Sequence, residues 1–196
     1  MSNTELFESK GCVRVEGFID PQTIAVVSQY LENKIKRGEW KEARTEADPT
    51  SRFAYYADPL VEVLLQVSKP VVEAATGKDL IPTYSYARIY QPGEQLKPHV
   101  DRPACEISVT VNVATKGEIS PIYTQYANNA PEQHILNAGD AVIYKGCEAM
   151  HWRRVLAPNQ LNVQFMLHYV DKNGPYAEYA KDKRPSYGMA SSTRSD

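Results

Sequence analysis

The sequence predicts a mostly β domain, a sandwich or barrel, with N-terminal helices packed on one outer face. Three observations lead to this prediction. The chain has 196 residues, a length that suits one domain with a closed core. Its first part contains two helical stretches, and the remainder contains many short strand-like runs separated by turns. We therefore expect a single domain over residues 1–196, with a helical part at about 1–78, a barrel core at about 79–171 and a C-terminal tail at 172–196.

The first helix is predicted to begin at Asp20-Pro21, because Asp is a good N-cap and Pro suits the first helical turn. Apolar and aromatic residues at positions 24, 27, 30 and 31 continue the helical spacing, which ends near Gly38. Residues 40–57 are polar and mixed and predict a long loop. A loop of this length is a candidate lid over the barrel mouth.

The second helix is predicted to follow Asp58-Pro59, where the same start signal recurs before a run of regularly spaced apolar residues. Pro70 is expected to kink or split this helix, because its ring clashes with the carbonyl one turn earlier. Gly77 is expected to end it, since glycine readily adopts the left-handed conformation of a helix C-terminus.

Seven later runs have strand character. The clearest is 107–113, which alternates apolar and polar residues and is rich in β-branched ones. The predicted strands cover residues 84–90, 107–113, 121–126, 133–136, 140–144, 151–156 and 161–170. Turn residues separate them, as at 91–94 and 137–140. So many short strands favour a sandwich or barrel.

Composition and charge argue against several classes of function. The 22 Lys and Arg residues nearly balance 24 Asp and Glu residues, so the chain lacks the basic footprint of a nucleic-acid-binding protein. The charged run at 181–184 is expected to be solvated surface. No apolar run is long enough to span a membrane, and the N-terminal residues lack a signal core. Three cysteines (Cys12, Cys105 and Cys147) favour the reducing cytoplasm and are expected to be small buried hydrophobes.

Two histidines and one carboxylate form the candidate metal site. His99 and Asp101 are two positions apart, and such residues point the same way on an extended segment. His151 lies at the start of a later predicted strand, from which it can reach the same point. Two imidazoles and one carboxylate hold a non-haem Fe(II) on one face and leave its other positions open. A closed zinc site would need a fourth ligand, and the cysteines lack the usual paired spacing.

A His-x-Asp triplet alone is a weak signal. A single histidine is more often a hydrogen-bonded core residue, which is what we expect of His134 and His168. The order of elements strengthens the metal interpretation, because strands precede and follow the triplet and an all-β segment encloses both parts of the site.

Residues 90–101, with the sequence Tyr-Gln-Pro-Gly-Glu-Gln-Leu-Lys-Pro-His-Val-Asp, resemble the strand, turn and ligand segment of prolyl-hydroxylase-like Fe(II)/2-oxoglutarate-dependent dioxygenases. Residues 139–144 and 151–153 resemble the segment that carries the last metal ligand of that family. The resemblance implies a double-stranded β-helix, which is a jelly-roll, cupin-like barrel with the metal at its mouth. It also implies Fe(II), 2-oxoglutarate and O2, with Tyr90 hydrogen-bonding the 2-oxoglutarate.

The chain departs from the family pattern at one place. The family carries an Arg or Lys on the strand after its last histidine, where it pairs with the far carboxylate of 2-oxoglutarate, but residues 158–164 contain no cation. A buried carboxylate needs a charged partner. The first candidate is Arg153, two positions after His151 and about 6.6 Å deeper along the strand. The second is Arg88, two positions before Tyr90.

Further polar residues complete the predicted cosubstrate and substrate sites. Gln164 is expected to add a neutral hydrogen bond to the cosubstrate, as are Asn162 and Asn112. Arg102 directly follows the metal carboxylate and is expected at the mouth, where it can meet substrate.

The resulting hypothesis is a dioxygenase that hydroxylates an unactivated C–H bond of an amino acid, a peptidyl group or a small molecule. The presence of Asp101 favours hydroxylation over halogenation, since a halide would need the place of that carboxylate. Two alternatives stay open. One is a cupin-like metal enzyme that does not use 2-oxoglutarate, and the other is a non-catalytic β-barrel binding protein. We expect no nucleic-acid or membrane partner, and the sequence does not indicate an oligomeric state.

Overall fold

Two antiparallel β-sheets form the body of the computed structural model, which describes residues 1–189. The α-helices are α1 (Asn3–Lys10), α2 (Pro21–Lys36), α3 (Pro59–Val67) and α4 (Lys69–Thr76). The strands are β1 (Cys12–Val15), β2 (Phe53–Tyr56), β3 (Leu80–Tyr90), β4 (Leu96–His99), β5 (Ile107–Lys116), β6 (Ile122–Gln125), β7 (Glu132–His134), β8 (Ala141–Lys145), β9 (Met150–Arg153) and β10 (Leu161–Asp171). Short 3-10 helices occupy Pro103–Cys105 and Ala177–Lys183.

The chain passes back and forth between the two sheets. The large sheet has the strand order β1-β8-β5-β10-β3-β2, and the small sheet has the order β4-β9-β6-β7. From β3 onward, strands of the large sheet alternate with strands or hairpins of the small one. This winding is the double-stranded β-helix, so the predicted strands fall into the predicted architecture.

The residues predicted to begin and end the two helical stretches do so in the structure. The Asp20 carboxylate accepts a hydrogen bond from the backbone N–H of Thr23 at the start of α2, and Asp58 caps α3 in the same way. The second helical stretch is split as predicted, because α3 ends before Ser68 and α4 begins immediately after it. Gly77 ends α4 with a positive φ of 71°.

The first helix and the first strand were not predicted from the sequence. α1 begins with a capping box, in which Ser2 and Glu5 each bond the backbone N–H of the other. This Ser-x-x-Glu pattern was a readable signal. Gly11 separates α1 from β1 with a φ of 70°, and a Cβ there would lie 2.3 Å from the ring of Tyr126. Only glycine fits this turn.

The main apolar core lies on one face of the large sheet. Val111 on β5 and Phe165 on β10 belong to the same buried cluster as Leu31 on α2 and Leu65 on α3. Helix α3 contacts β3 and β10, and α2 contacts β5. Because side chains alternate along a strand, the opposite face of β10 carries polar residues, including Gln164.

Two regions differ from the sequence expectation. The predicted loop at 40–57 ends in strand β2, which pairs with β3. The charged run at 181–184 is not simply solvated surface, because Arg184 is buried and pairs with the buried carboxylate of Glu62. Both errors arise because a tertiary contact decides the conformation of a polar segment. Residues 190–196 of the predicted tail lie outside the described part of the chain. No helix within residues 1–189 combines the length and apolar character needed to cross a membrane.

Candidate metal centre

His99, Asp101 and His151 meet at one end of the small sheet. His99 is the last residue of β4, and the strand register places it opposite His151 on β9. Asp101 follows two residues after His99, and its backbone N–H donates to the carbonyl of Gly146 at 2.7 Å. One potential ligand atom from each of the three side chains lies within 4.8 Å of the others. The structure therefore brings together all three predicted ligands.

Hydrogen bonds orient both imidazole rings toward the carboxylate. Nδ1 of His99 lies 2.9 Å from the carbonyl of Lys97, and Nδ1 of His151 lies 3.0 Å from the carbonyl of Ala149. A carbonyl only accepts, so Nδ1 carries the proton in both rings. The Nε2 atoms face Asp101 Oδ1 at 3.7 Å for His99 and 3.5 Å for His151. These separations are less than twice a metal–ligand bond of about 2.0–2.2 Å, so one ion can bridge the atoms.

The charges of the three groups also suit a cation. Burial would raise the pKa of Asp101, but the neighbouring His151 lowers it to about 2, so the carboxylate is ionised. Burial lowers the pKa of His99, with repulsion from His151 adding to the effect. Burial would likewise lower the pKa of His151, but attraction by Asp101 raises it. A bound divalent ion would take the place of the proton that attracts His151 to Asp101, and both side chains would then coordinate the ion directly.

A hydrogen-bonded chain behind Asp101 fixes its carboxylate. The hydroxyl of Ser108 donates to Asp101 Oδ2 at 2.7 Å, and Nδ1 of His168 lies 2.9 Å from the same hydroxyl oxygen. Because the hydroxyl proton is used on Asp101, His168 donates to Ser108. His168 is therefore a buried core histidine, as expected, but it is connected through Ser108 to the candidate metal ligand Asp101. Its role was missed because nothing in the sequence relates positions 101, 108 and 168.

Arg153 lies two residues after His151 on β9, is buried, and has no acidic partner among residues 1–189. Its Nη2 donates to Gln164 Oε1 at 2.7 Å, and its Nη1 donates to the carbonyl of Ser120. Its buried Nε has no hydrogen-bond partner within the described chain. Burial lowers the pKa of Arg153. The guanidinium lies 5.2 Å from the ring centre of Tyr90.

A narrow pocket adjoins this arginine. Its lining includes Arg153, Ser120, Asn112 and Asn162, together with His134. Asn112 and Asn162, two of the neutral residues predicted to contact the cosubstrate, thus border the pocket. The third, Gln164, accepts a hydrogen bond from Arg153. The arrangement offers one unneutralised positive charge with an unpartnered Nε, which suits an anionic ligand.

Arg88, the second predicted cosubstrate partner, is already neutralised. Its Nε and Nη2 lie 2.8 and 3.1 Å from the two carboxylate oxygens of Asp48, and Nη2 lies 2.9 Å from Glu94 Oε2. Burial would lower the pKa of Arg88, but these contacts raise it, with the hydrogen bonds to Asp48 leading. The structure thus connects Arg88 to the 40–57 segment rather than leaving it available to a ligand.

Arg102, the predicted substrate residue, also has an acidic partner. Both of its terminal nitrogens lie 2.8 Å from the carboxylate of Asp182, which also accepts a hydrogen bond from Tyr56 at 2.5 Å. Its guanidinium lies 4.7 Å from the ring centre of Tyr84. The C-terminal segment therefore contributes to the surroundings of the predicted substrate residue.

Comparison with known proteins identifies the architecture. No family model and no curated protein matches the sequence. Among solved structures, a prolyl-4-hydroxylase from Pseudomonas putida is similar with a TM-score of 0.70 and 13% identity, over 86% of this chain and 96% of that one. A Trichoplax adhaerens prolyl hydroxylase bound to a hypoxia-inducible-factor peptide matches with a TM-score of 0.70 and 10% identity, over 92% and 91%.

A third similar structure contains the expected ligands. The epimerase SnoN, in complex with Fe3+, α-ketoglutarate and nogalamycin RO, matches with a TM-score of 0.70 and 13% identity, over 95% of this chain and 90% of that one. At such identities these likenesses establish the fold. The chain has the double-stranded β-helix fold of the 2-oxoglutarate–Fe(II) oxygenases, which confirms the predicted mostly β barrel.

Proposed function

We propose that this protein is an Fe(II)- and 2-oxoglutarate-dependent dioxygenase that hydroxylates a C–H bond. The main observation behind the proposal is that a candidate metal ligand and a buried arginine lie next to each other on strand β9. An open three-ligand cluster includes His151, and two residues deeper on the same strand lies a buried arginine, Arg153, without an acidic partner in residues 1–189. A metal site beside an unneutralised cation suits a chelating dicarboxylate.

His99, Asp101 and His151 would hold the metal. Their donor set of two imidazole nitrogens and one carboxylate oxygen fits Fe(II), and it leaves coordination positions open for other ligands. The two carbonyl-bound Nδ1–H groups keep both Nε2 lone pairs available, while Ser108 orients the carboxylate. The chemistry that Fe(II), 2-oxoglutarate and O2 supply together is oxidative decarboxylation of the keto acid coupled to hydroxylation of substrate.

Tyr90 and Arg153 would hold the cosubstrate. A separation of two residues along a strand is about 6.6 Å, which suits a short dicarboxylate with one end at the metal and the other at Arg153. Gln164 positions the guanidinium through its 2.7 Å hydrogen bond. Arg88 is not assigned this role, because Asp48 and Glu94 already neutralise it.

The substrate is proposed to be a small molecule or a peptidyl group that reaches the metal past Arg102. The similar structures include one bound to a peptide and one bound to nogalamycin RO, so the fold accommodates both kinds. Asp101 occupies the place that a halide ligand would need, which supports hydroxylation. Three free cysteines fit a reducing compartment, and we propose the cytoplasm.

The proposal is tested by anaerobic addition of Fe(II) and 2-oxoglutarate to the purified protein. We expect a weak visible charge-transfer band that is absent from His99→Ala, followed by succinate release when O2 and a substrate panel are supplied. Iron binding without the band at saturating 2-oxoglutarate would favour the cupin-like alternative. Failure to bind iron, with His99→Ala indistinguishable from wild type, would favour the non-catalytic barrel.

A further inference from the structure

A second group of potential metal ligands lies outside the proposed iron site. Cys12 is on β1, an edge strand of the large sheet. Glu132 and His134 are on β7, an edge strand of the small sheet. The thiol sulfur lies 3.8 Å from His134 Nε2 and 3.9 Å from Glu132 Oε2. All three ligand atoms lie within 4.8 Å of one another.

These separations are close to those of a tetrahedral zinc site. With Zn–S bonds of about 2.3 Å and Zn–N or Zn–O bonds of about 2.0–2.2 Å, adjacent ligand atoms in a tetrahedron lie about 3.6 Å apart. The two sulfur distances exceed this value by about 0.3 Å or less, so ligation requires small side-chain shifts. It also requires the Thr124 hydroxyl, 2.8 Å from His134 Nε2, to give up its hydrogen bond to that atom. Like the proposed iron ligands, the three ligand atoms lie within 4.8 Å of one another.

We propose that Cys12, Glu132 and His134 bind a zinc-like divalent cation at a site distinct from His99, Asp101 and His151. One thiolate, one imidazole and one carboxylate form a ligand set suited to Zn2+, and the thiolate disfavours Mg2+ and Ca2+. Three protein ligands leave a fourth position. The Glu132 side chain is 35% exposed, which gives that position access to water.

The protonation states of His134 and Cys12 are compatible with metal binding. Burial lowers the pKa of His134 to about 4, so its ring is neutral at physiological pH. Burial raises the pKa of the Cys12 thiol, so the cation displaces the thiol proton to solvent as the metal–sulfur bond forms. Lys10 pairs with Glu132 Oε1 at 2.9 Å, which leaves Oε2 directed at the sulfur.

A cation here would connect two strands that no backbone ladder joins. In the described structure β1 pairs with β8, and β7 pairs with β6, but β1 and β7 do not pair with each other. Thr124 on β6 contacts Cys12 Sγ at 3.3 Å and His134 Nε2 at 2.8 Å, and it is the register partner of His151. The proposed cation would therefore join the edge strands β1 and β7 of the two sheets, close to the proposed iron site.

The inference is tested by Co(II) titration of the full-length variant His99→Ala/His151→Ala, which lacks two proposed iron ligands. We expect one equivalent of Co(II) to bind with a near-ultraviolet thiolate-to-cobalt charge-transfer band. Adding Cys12→Ser should abolish the band, while Cys147→Ser should leave it unchanged. Glu132→Gln, which keeps the thiol, should weaken Co(II) binding by at least about tenfold. Circular dichroism checks that each variant is folded.

Three outcomes would overturn the inference. One is the absence of a charge-transfer band in the parent variant. The second is a band that survives Cys12→Ser but is lost in Cys105→Ser, because it would assign the thiolate to the separate Asp101, Cys105 and His168 group. The third is Co(II) affinity unchanged by Glu132→Gln. Since the parent variant lacks the proposed iron site, none of these results depends on the dioxygenase proposal.

Discussion

Arg88 and Arg153 both lie close to the ring of Tyr90 but in opposite electrostatic situations. Both are buried, and their guanidinium groups lie 4.3 and 5.2 Å from the ring centre of Tyr90. Arg88 has two carboxylates as partners, whereas Arg153 has a backbone carbonyl and a side-chain amide. A buried charge without a counter-charge is costly. The difference indicates that Arg88 stabilises the fold, and it supports the proposal that Arg153 pairs with an anionic ligand.

The largest expected effect is on stability, in Arg88→Met. Removing this cation leaves Asp48 and Glu94 buried without their shared partner, and breaking a buried ion pair costs about 3–5 kcal/mol. We expect a loss of this size in urea-induced unfolding. Arg153→Met should lose little stability or gain some, because it removes an unneutralised charge. Equal destabilisation by the two substitutions would remove the contrast between the arginines.

The second prediction extends the comparison to the metal cluster. Ser108→Ala removes the hydrogen bond that orients Asp101, and losing such an outer partner should weaken metal binding about 10- to 100-fold. The matched control is Ser85→Ala, because the buried hydroxyl of Ser85 has no hydrogen-bond partner within the described structure. Metal titration monitored by calorimetry gives both values. An unchanged metal affinity in Ser108→Ala would show that metal binding does not depend on the hydrogen bond from Ser108 to Asp101.

The smallest expected effect is that of Tyr90→Phe. If the hydroxyl of Tyr90 hydrogen-bonds the cosubstrate, its removal should cost about 0.5–1.5 kcal/mol of 2-oxoglutarate affinity, which is a few-fold to about tenfold. The aromatic ring that both arginines contact is retained, so stability should change little. An unchanged dissociation constant would exclude the hydroxyl as a contact and leave Arg153 as the main anchor.

Local signals were sufficient for most of the fold. The capping residues Asp20 and Asp58 begin helices because they act on neighbouring backbone N–H groups, and strand periodicity is likewise local. The triplet at 99–101 was visible for the same reason, and the strand predicted to begin at His151 linked that residue to the triplet. The elements α1, β1, β2 and β4 were not predicted, although α1 begins with a readable capping box.

The partners of charged residues could not be predicted. Asp48 lies 40 positions before Arg88, and Glu62 lies 122 positions before Arg184, so each pairing depends on the finished fold. Composition alone assigns such residues to solvated surface. For the same reason, the sequence could propose both Arg88 and Arg153 as cosubstrate partners without knowing that only one is neutralised.

The central claim is tested most directly by anaerobic calorimetry of 2-oxoglutarate binding to the Mn(II)-loaded protein. Truncating one partner of a buried charge pair costs about 2–5 kcal/mol, so Arg153→Met should weaken binding about 30-fold or more. The control is Arg154→Met, an exposed neighbour that should bind normally. 2-Oxobutyrate, which lacks the distal carboxylate, should bind wild type and Arg153→Met equally. Undiminished 2-oxoglutarate affinity in Arg153→Met would contradict the assignment of Arg153 as the carboxylate partner.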